Sequence, residues 1–407
     1  MQSKRFTAFI LTITAWGAMT LGITQPIVVA ADLDSRWVGT WGASPQLTEP
    51  RNLPPPPGLT SNTLRQVVQV SIGGEKLRVR FSNAFGSSPV TMNSVHVALS
   101  AGGSAIKTNS DLELTFQGKS SMTIPAGESV LSDTFDFNLA PLSDLAVTID
   151  FGGTSATVTG HPGSRTKSYL QAGDWVSASD LPRAAKTEHW YILTGIDVEA
   201  DKSSAAIVTL GDSITDGRGS GTDRNDRWPD NLARRLQADQ STTGIAVLNE
   251  GIGGNCVLHG GLGPTALSRF DRDVLSQCGV RWLMVLEGVN DIGGSGDGSV
   301  ATNLITAYGQ MIEQAHAHHL RVYGATILPF GGSFYDKPAH ETARETVNHW
   351  IRTGGRFDAV IDFDAAMRDP QNPGRLLSAA DSGDHLHPNE AGYKIMADVI
   401  NLKLFEN

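Results

Sequence analysis

The chain has 407 residues, 40% of them hydrophobic and 18% charged, with a formal net charge of −10. That composition is ordinary for a globular protein and long enough for two domains. The acidic balance, with no basic run, excludes nucleic acid as an expected partner.

Residues 1–31 read as a signal peptide. Lys4 and Arg5 start it, residues 6–23 are largely apolar and uncharged, and Val29-Ala30-Ala31 offers small residues for cleavage. Threonine and glycine dilute the apolar run, which favours a cleaved segment over a retained anchor. The mature chain is therefore expected to be secreted or periplasmic, with no stable membrane anchor after cleavage. Residues 32–199 read as a β-rich accessory domain. Short alternating runs at 64–72, 77–81, 90–99, 112–116 and 145–151 are separated by Gly, Asn, Ser and Pro. This spacing predicts an all-β antiparallel sandwich or jelly roll. Arg51-Asn52-Leu53-Pro54-Pro55-Pro56-Pro57-Gly58 is expected to lie extended on the surface. Trp175 and Trp190 read as core residues rather than sugar platforms. The half holds no catalytic motif, so the chemistry itself is not expected to need it.

The pattern changes near residues 198–204. Strand-like runs at 207–210, 245–248, 282–286, 322–328 and 360–363 now alternate with helical ones. Pro229 suits the first turn of a helix running to about Ala238. Residues 301–319 have apolar side chains at helical spacing. Asn389 can cap a last helix whose apolar face carries Ala391, Ile395, Met396, Val399 and Ile400. The alternation predicts a three-layer α/β domain over 204–407, a five-stranded parallel sheet covered by helices on both faces.

The candidate chemistry sits where those strands end. Ile207-Val208-Thr209-Leu210 runs into Gly211-Asp212-Ser213-Ile214-Thr215-Asp216-Gly217. In open α/β sheets the carboxyl edge is where ligands bind, and a serine there needs a base to become a nucleophile. Asp384-His385-Leu386-His387-Pro388 offers a carboxylate and imidazoles in one loop. Asn249-Glu250-Gly251-Ile252-Gly253-Gly254-Asn255 and Gly288-Val289-Asn290-Asp291 each follow a strand-like run, as Ser213 does. No Gly-x-Ser-x-Gly elbow introduces Ser213, unlike the common α/β-hydrolases.

Four such blocks, in this order, resemble the SGNH hydrolases, also called GDSL esterases, over residues 204–404. The resemblance implies a flavodoxin-like fold and assigns roles block by block. Ser213 matches the nucleophile, with Asp384 and His387 as the rest of the triad. The Ser213 and Gly254 backbone N–H groups and the Asn290 amide match the oxyanion hole. The runs Arg224-Asn225-Asp226-Arg227-Trp228-Pro229 and Arg269-Phe270-Asp271-Arg272-Asp273 are similar to the acetyl xylan esterase branch. The implied activity is a carboxylic ester hydrolase acting on short acyl groups, acetyl foremost, on plant polysaccharides, through an acyl-enzyme. Alternatives are a lipase or phospholipase of the same superfamily, a carbohydrate-binding protein with a vestigial hydrolase domain, and an acyltransferase that resolves the acyl-enzyme with a sugar hydroxyl.

No cofactor and no metal are expected. His316 and His319 share a helix face but lack a third ligand. His340-Glu341-Thr342-Ala343-Arg344 lacks the second histidine of a zincin, and Cys256 stands where a dinucleotide fingerprint needs its third glycine. Asp212, Asp216 and Asp291 are expected to bond to loop backbone. His385 adjoins Asp384 and is expected to point away from it. Trp228 is expected to staple a helix start rather than stack on a sugar. Cys256 and Cys278 are a possible disulfide in an oxidising compartment, with two free thiols as the alternative.

Overall fold

The computed structural model describes residues 37–296 and 298–406. The expected signal peptide lies outside the described residues.

β-Branched and leucine-rich runs build the parallel sheet, because a strand covered on both faces must be apolar on both. In Ala205–Gly211 every residue is buried. Ile245–Gly251 flanks it on one side and Val280–Leu286 on the other, followed by Arg321–Ala325 and Ala359–Ile361. All four pairings are parallel. Numbered along the chain, the order is 2-1-3-4-5, the flavodoxin-like arrangement, whose switch point lies between the first and third strands. Gly211 is paired with Gly251 on one side and Leu286 on the other, so three strand ends meet at one edge. The helices fall close to where periodicity and caps put them, at Trp228–Ala238, Val300–Ala317 and Glu390–Asp398. The Asn389 side chain caps the last by accepting from the Gly392 N–H.

Two details differ from expectation. The run at 322–328 leaves the sheet after Ala325, because the Asn348 carboxamide takes over the Ile327 backbone N–H and C=O. Asn348 lies on Pro338–Thr353, a helix the sequence reading had not assigned. Its interior Arg344 is buried against Asp364, an ion pair that makes an outwardly polar helix face inward.

The named strands of the strand-rich half all pair antiparallel. One sheet runs Trp37–Gly42, Leu193–Glu199, Gly74–Ser82, Phe135–Leu139, and the larger one centres on Asn62–Gln69, Asp144–Phe151 and Val90–Gly102. A third, small sheet pairs Gln46–Leu47, Thr159–His161 and Trp190–Tyr191. Leu64, Val95 and Leu145 of the larger sheet share a core with Leu77, Val79 and Ile196 of the other. Trp190 is buried with its ring edge on Trp41, 5.0 Å between centroids. Trp175, expected in the core, is 39% exposed and donates its indole N–H to the Ala172 carbonyl.

That core does not stop at the change of pattern. By internal contacts the chain from Arg36 to Asn407 is one unit. The apolar cluster runs unbroken from Val38 and Trp41 to Val208, Leu248 and Leu283. Gly39 donates to the Cys278 carbonyl at 3.0 Å, and Ser71 Oγ accepts from the Val247 N–H at 3.1 Å. No helix among the described residues is long and apolar enough to cross a membrane.

Candidate active site

Ser213 opens a one-turn helix, Ser213–Asp216, directly beyond the central strand. Asp212 caps it, its carboxylate accepting from the Ile214 N–H at 2.9 Å. The turn can double back so sharply because residue 211 is glycine. A Cβ there would stand 2.2 Å from Thr215 Oγ1 and 2.6 Å from the Leu286 carbonyl.

The last motif reaches this turn from a loop held by its own carboxylates. His387 Nε2 lies 2.8 Å from Ser213 Oγ, and His387 Nδ1 lies 2.7 Å from Asp384 Oδ2. A carboxylate at Nδ1 fixes the tautomer that leaves the Nε2 lone pair for the serine hydroxyl. Asp384 also accepts from the backbone N–H groups of Leu386 and His387. Burial alone would raise its pKa, but these hydrogen bonds and the His387 side chain outweigh it and hold Asp384 at about 2. Burial pushes His387 below the ordinary 6.5, against the pull of Asp384, and the Arg218 and Arg165 guanidiniums push it further the same way. His385 belongs to a separate pair, with Nδ1 2.6 Å from Asp381 Oδ2.

The other two motifs face the same point. Gly254, which lines the cleft with Ser213, is left-handed at φ 73°, a conformation glycine adopts readily. Among the described residues, neither the Ser213 nor the Gly254 backbone N–H is taken by another protein group. Asn290 is fixed at both ends of its carboxamide. Its NH₂ donates to the Asn255 carbonyl at 2.7 Å, and its Oδ1 accepts from the Tyr335 hydroxyl at 3.1 Å. One N–H of the amide remains for a ligand. Asp291 accepts from Val257 and Leu258, as its loop position suggested.

Beneath these loops one buried guanidinium ties the strand ends together. Arg269 donates to the Gly211 and Glu250 carbonyls, to Asn255 Oδ1 and to Ser44 Oγ, with Asp273 at 3.2 Å. It therefore holds Asn255, whose carbonyl in turn orients Asn290. Burial, with Asp212 nearby, raises Glu287 well above the usual carboxylate range; neither of its oxygens is hydrogen-bonded, and Arg269 stands 3.9 Å from Oε2. Burial likewise lifts Asp212 to about 7 and Glu250 to about 8.

Asp216 departs from the expected loop bonding. Its Oδ1 lies 2.9 Å from His161 Nε2, and His161 Nδ1 reaches the Ser44 carbonyl at 2.9 Å. Both partners are buried. A carbonyl only accepts, so Nδ1 carries a proton, and a further proton must lie between Nε2 and the carboxylate. His161 was not singled out from sequence. The signal available was Gly160-His161-Pro162-Gly163, a histidine framed by turn residues.

Ser213, Gly254, Asn290 and His387 open on one cleft of about 430 Å³. Arg51, Arg165 and His189 of the strand-rich half also line it, with Phe334 and Tyr335 at another part of the wall. The motif-free half is thus part of the site. Phe334 is 71% exposed, its ring 4.3 Å from that of Tyr335 between centroids. A second cleft of about 580 Å³ shares Gly254, Leu262, Asn290 and Tyr335 with the first and continues past Cys256, Leu258 and Val300.

The optional disulfide is not formed. Cys256 and Cys278 are both free. Cys256 is buried against the second cleft, where burial pushes its thiol up to about 12. Cys278 sits at the junction with the strand-rich half, where its sulfur donates to Asp197 and accepts from Arg78. Trp228 is likewise no sugar platform, being buried with its ring 5.5 Å from Phe363. His316 pairs with Asp358 on the surface.

Residues 209–395 match the GDSL-like Lipase/Acylhydrolase family. Among solved structures, the chain is similar to a GDSL-like lipase from Bacteroides thetaiotaomicron, at 19% identity over 51% of this chain and 90% of that one, with a TM-score of 0.39. It is also similar to an acetylxylan esterase from Geobacillus stearothermophilus, at 22% identity over 49% of this chain and 94% of the other, with a TM-score of 0.37. No curated relative matches. The four motifs, their meeting at one sheet edge and the match of residues 209–395 to the GDSL-like Lipase/Acylhydrolase family agree on a carboxylic ester hydrolase.

Proposed function

We propose that the chain is an exported serine esterase that removes short acyl groups, acetyl foremost, from hydroxyls of a polysaccharide. The observation that carries this reading is the unbroken relay from Ser213 through His387 to Asp384. His387 Nε2 takes the Ser213 proton as Oγ attacks the ester carbonyl. The carbonyl oxygen gains charge and meets the free N–H groups of Ser213 and Gly254 and the Asn290 amide. Collapse breaks the ester C–O bond, and His387 returns the proton to the departing alcohol. Water then repeats the sequence on the acyl-Ser213 ester and releases the acid. Asp384, held low by its hydrogen bonds, stays ionised and stabilises the imidazolium at each stage.

The alcohol side is read from the first cleft. It is open and polar, and the exposed Phe334 ring is a surface on which a sugar ring can stack. A longer acyl chain is the second reading, favoured by the second cleft beyond Gly254 and Asn290. A chain-length series of p-nitrophenyl esters, run beside acetylated xylan, separates them. Greatest kcat/KM at acetate, with acetate released from the polymer, supports the proposal. A maximum at eight carbons or more would favour the second reading, and no turnover of any ester would end both.

A further inference from the structure

We propose that the substrate of this cleft carries an anionic group on its alcohol portion, bound by Arg165 and Arg218. The inference rests on the esterase reading and adds a charge requirement to it. Both side chains line the cleft that holds Ser213 and His387. No hydrogen bond or ion pair joins either guanidinium to another described residue, and Arg165 Nε is buried without a hydrogen-bond partner. By contrast, Arg227, Arg269, Arg344 and Arg352 are each paired with carboxylates. A protein of net charge −10 has no shortage of carboxylates to satisfy two more.

Their placement is built. Arg165 is held left-handed at φ 53°, with its carbonyl accepting from the Asp223 N–H. A non-glycine residue in that conformation is uncommon. Arg218 follows the catalytic turn, its N–H donating to the Ser213 carbonyl at 2.8 Å and its own carbonyl accepting from the Tyr393 hydroxyl at 2.6 Å. The two arginines therefore come from opposite halves of the chain, and their backbones are anchored beside the cleft that holds Ser213 and His387. Both charges disfavour the His387 imidazolium.

Arg51 adds a third cation at the wall, against two carboxylates, Glu49 and Asp216. Asp216 faces His161, while Glu49 keeps its charge, its oxygens accepting from the neutral amides of Gln46 and Asn52. Cations therefore outnumber carboxylates in the lining, and a guanidinium without a protein partner suits a carboxylate, phosphate or sulfate bound through two parallel N–H groups. Positive potential in a cleft of an acidic protein also selects against adhesion of anions elsewhere on its surface.

The test compares acetyl esters with and without an anionic group on the sugar: acetylated glucuronic acid, its uncharged methyl ester, and acetylated glucose carrying a phosphate or a sulfate. The purified full chain is expected to favour at least one anionic ester over the methyl ester by about 10–100-fold in kcat/KM, the usual worth of hydrogen bonds to a charged group. Rising salt should erode the preference. Arg165→Gln and Arg218→Gln should each lower the charged-to-uncharged ratio, and Arg218→Glu should bring it below one. Arg218 is exposed between Gly217 and Gly219, so its variants test the idea even if Arg165→Gln does not fold. Which anion wins identifies the source of the charge. A wild-type ratio near one, or a ratio that Arg218→Glu leaves unchanged, overturns the inference while hydrolysis of the methyl ester upholds the esterase. Failure to hydrolyse any of the four esters, or p-nitrophenyl acetate, would instead remove the underlying reading.

Discussion

The α/β half and the strand-rich half contribute to one cleft in different ways. The first supplies reactive groups in short contiguous motifs, each at the end of a parallel strand. The second supplies wall residues, Arg51, Arg165 and His189, and the buried His161, from turns remote in sequence and with no motif among them. A parallel sheet gathers its strand ends by topology, so motifs there converge whatever lies between them. An antiparallel sheet brings turns to a site only through its packing, and nothing local announces that. The lesson is that the half without motifs can decide what binds, while the half with motifs decides what reacts.

The comparison breaks most completely if the halves are independent. Because one core runs through both, a chain beginning near residue 200 is expected to lose cooperative folding and all esterase activity. Thermal melting and a p-nitrophenyl acetate assay check this together. A folded, active fragment would show that the strand-rich half is a detachable accessory.

Within the reactive half, Ser213→Ala and His387→Ala should each lower kcat by about 10⁴–10⁶-fold, and the double variant little further, because the residues act as a unit. His385→Ala is the control and should be mild, since His385 is paired with Asp381 instead. A dead His385→Ala enzyme beside an active His387→Ala one would reverse the assignment of the base. Asn290→Ala is expected to lower kcat by about 10²–10³-fold with little change in KM, as for loss of one oxyanion donor. A raised KM with near-normal kcat would make Asn290 a substrate-binding residue only.

His161→Ala probes the junction from the other side. It leaves Asp216 buried without its partner, which should cost about 3–5 kcal/mol of stability. The denaturant midpoint measures it, and His161→Ala combined with Asp216→Ala should recover part of the loss. Equal stability of single and double variants would deny the coupling. The smallest effect expected is on pH dependence. The base must be neutral, and His387 is depressed below 6.5, so kcat/KM should hold its plateau to more acidic pH than an ordinary histidine allows. Arg165→Gln and Arg218→Gln remove cations that disfavour imidazolium, so the acid limb should move to higher pH. An unmoved limb would mean those charges do not reach the base.

Much of this site was legible before any coordinates. The run into Ser213 is apolar and β-branched, then turns on glycine, and the sequence reading placed the hydroxyl at a strand end, where it lies. The SGNH resemblance assigned Asp384 and His387, and the adjacency of His385 to Asp384 argued locally against His385 as the base. Asp216 was less legible, because the sequence offers its carboxylate no visible partner and His161 stands far off in another sheet. Arg269 entered the sequence analysis only as part of a family-like run, and nothing local shows that it is buried and bonded to two strand ends.

Local pattern along the chain set the order of strands and helices, the turn that presents Ser213, and the identity of the groups able to react with an ester. Those depend on periodicity, caps and glycine, which act over a few residues. The tertiary structure alone decided that Cys256 and Cys278 stand in different environments and stay free, that Asn290 is clamped between Asn255 and Tyr335, and that Arg165 and Arg218 share a cleft. Each of these depends on packing between segments distant along the chain, where burial and unmet hydrogen bonds select the partners and local pattern has no part.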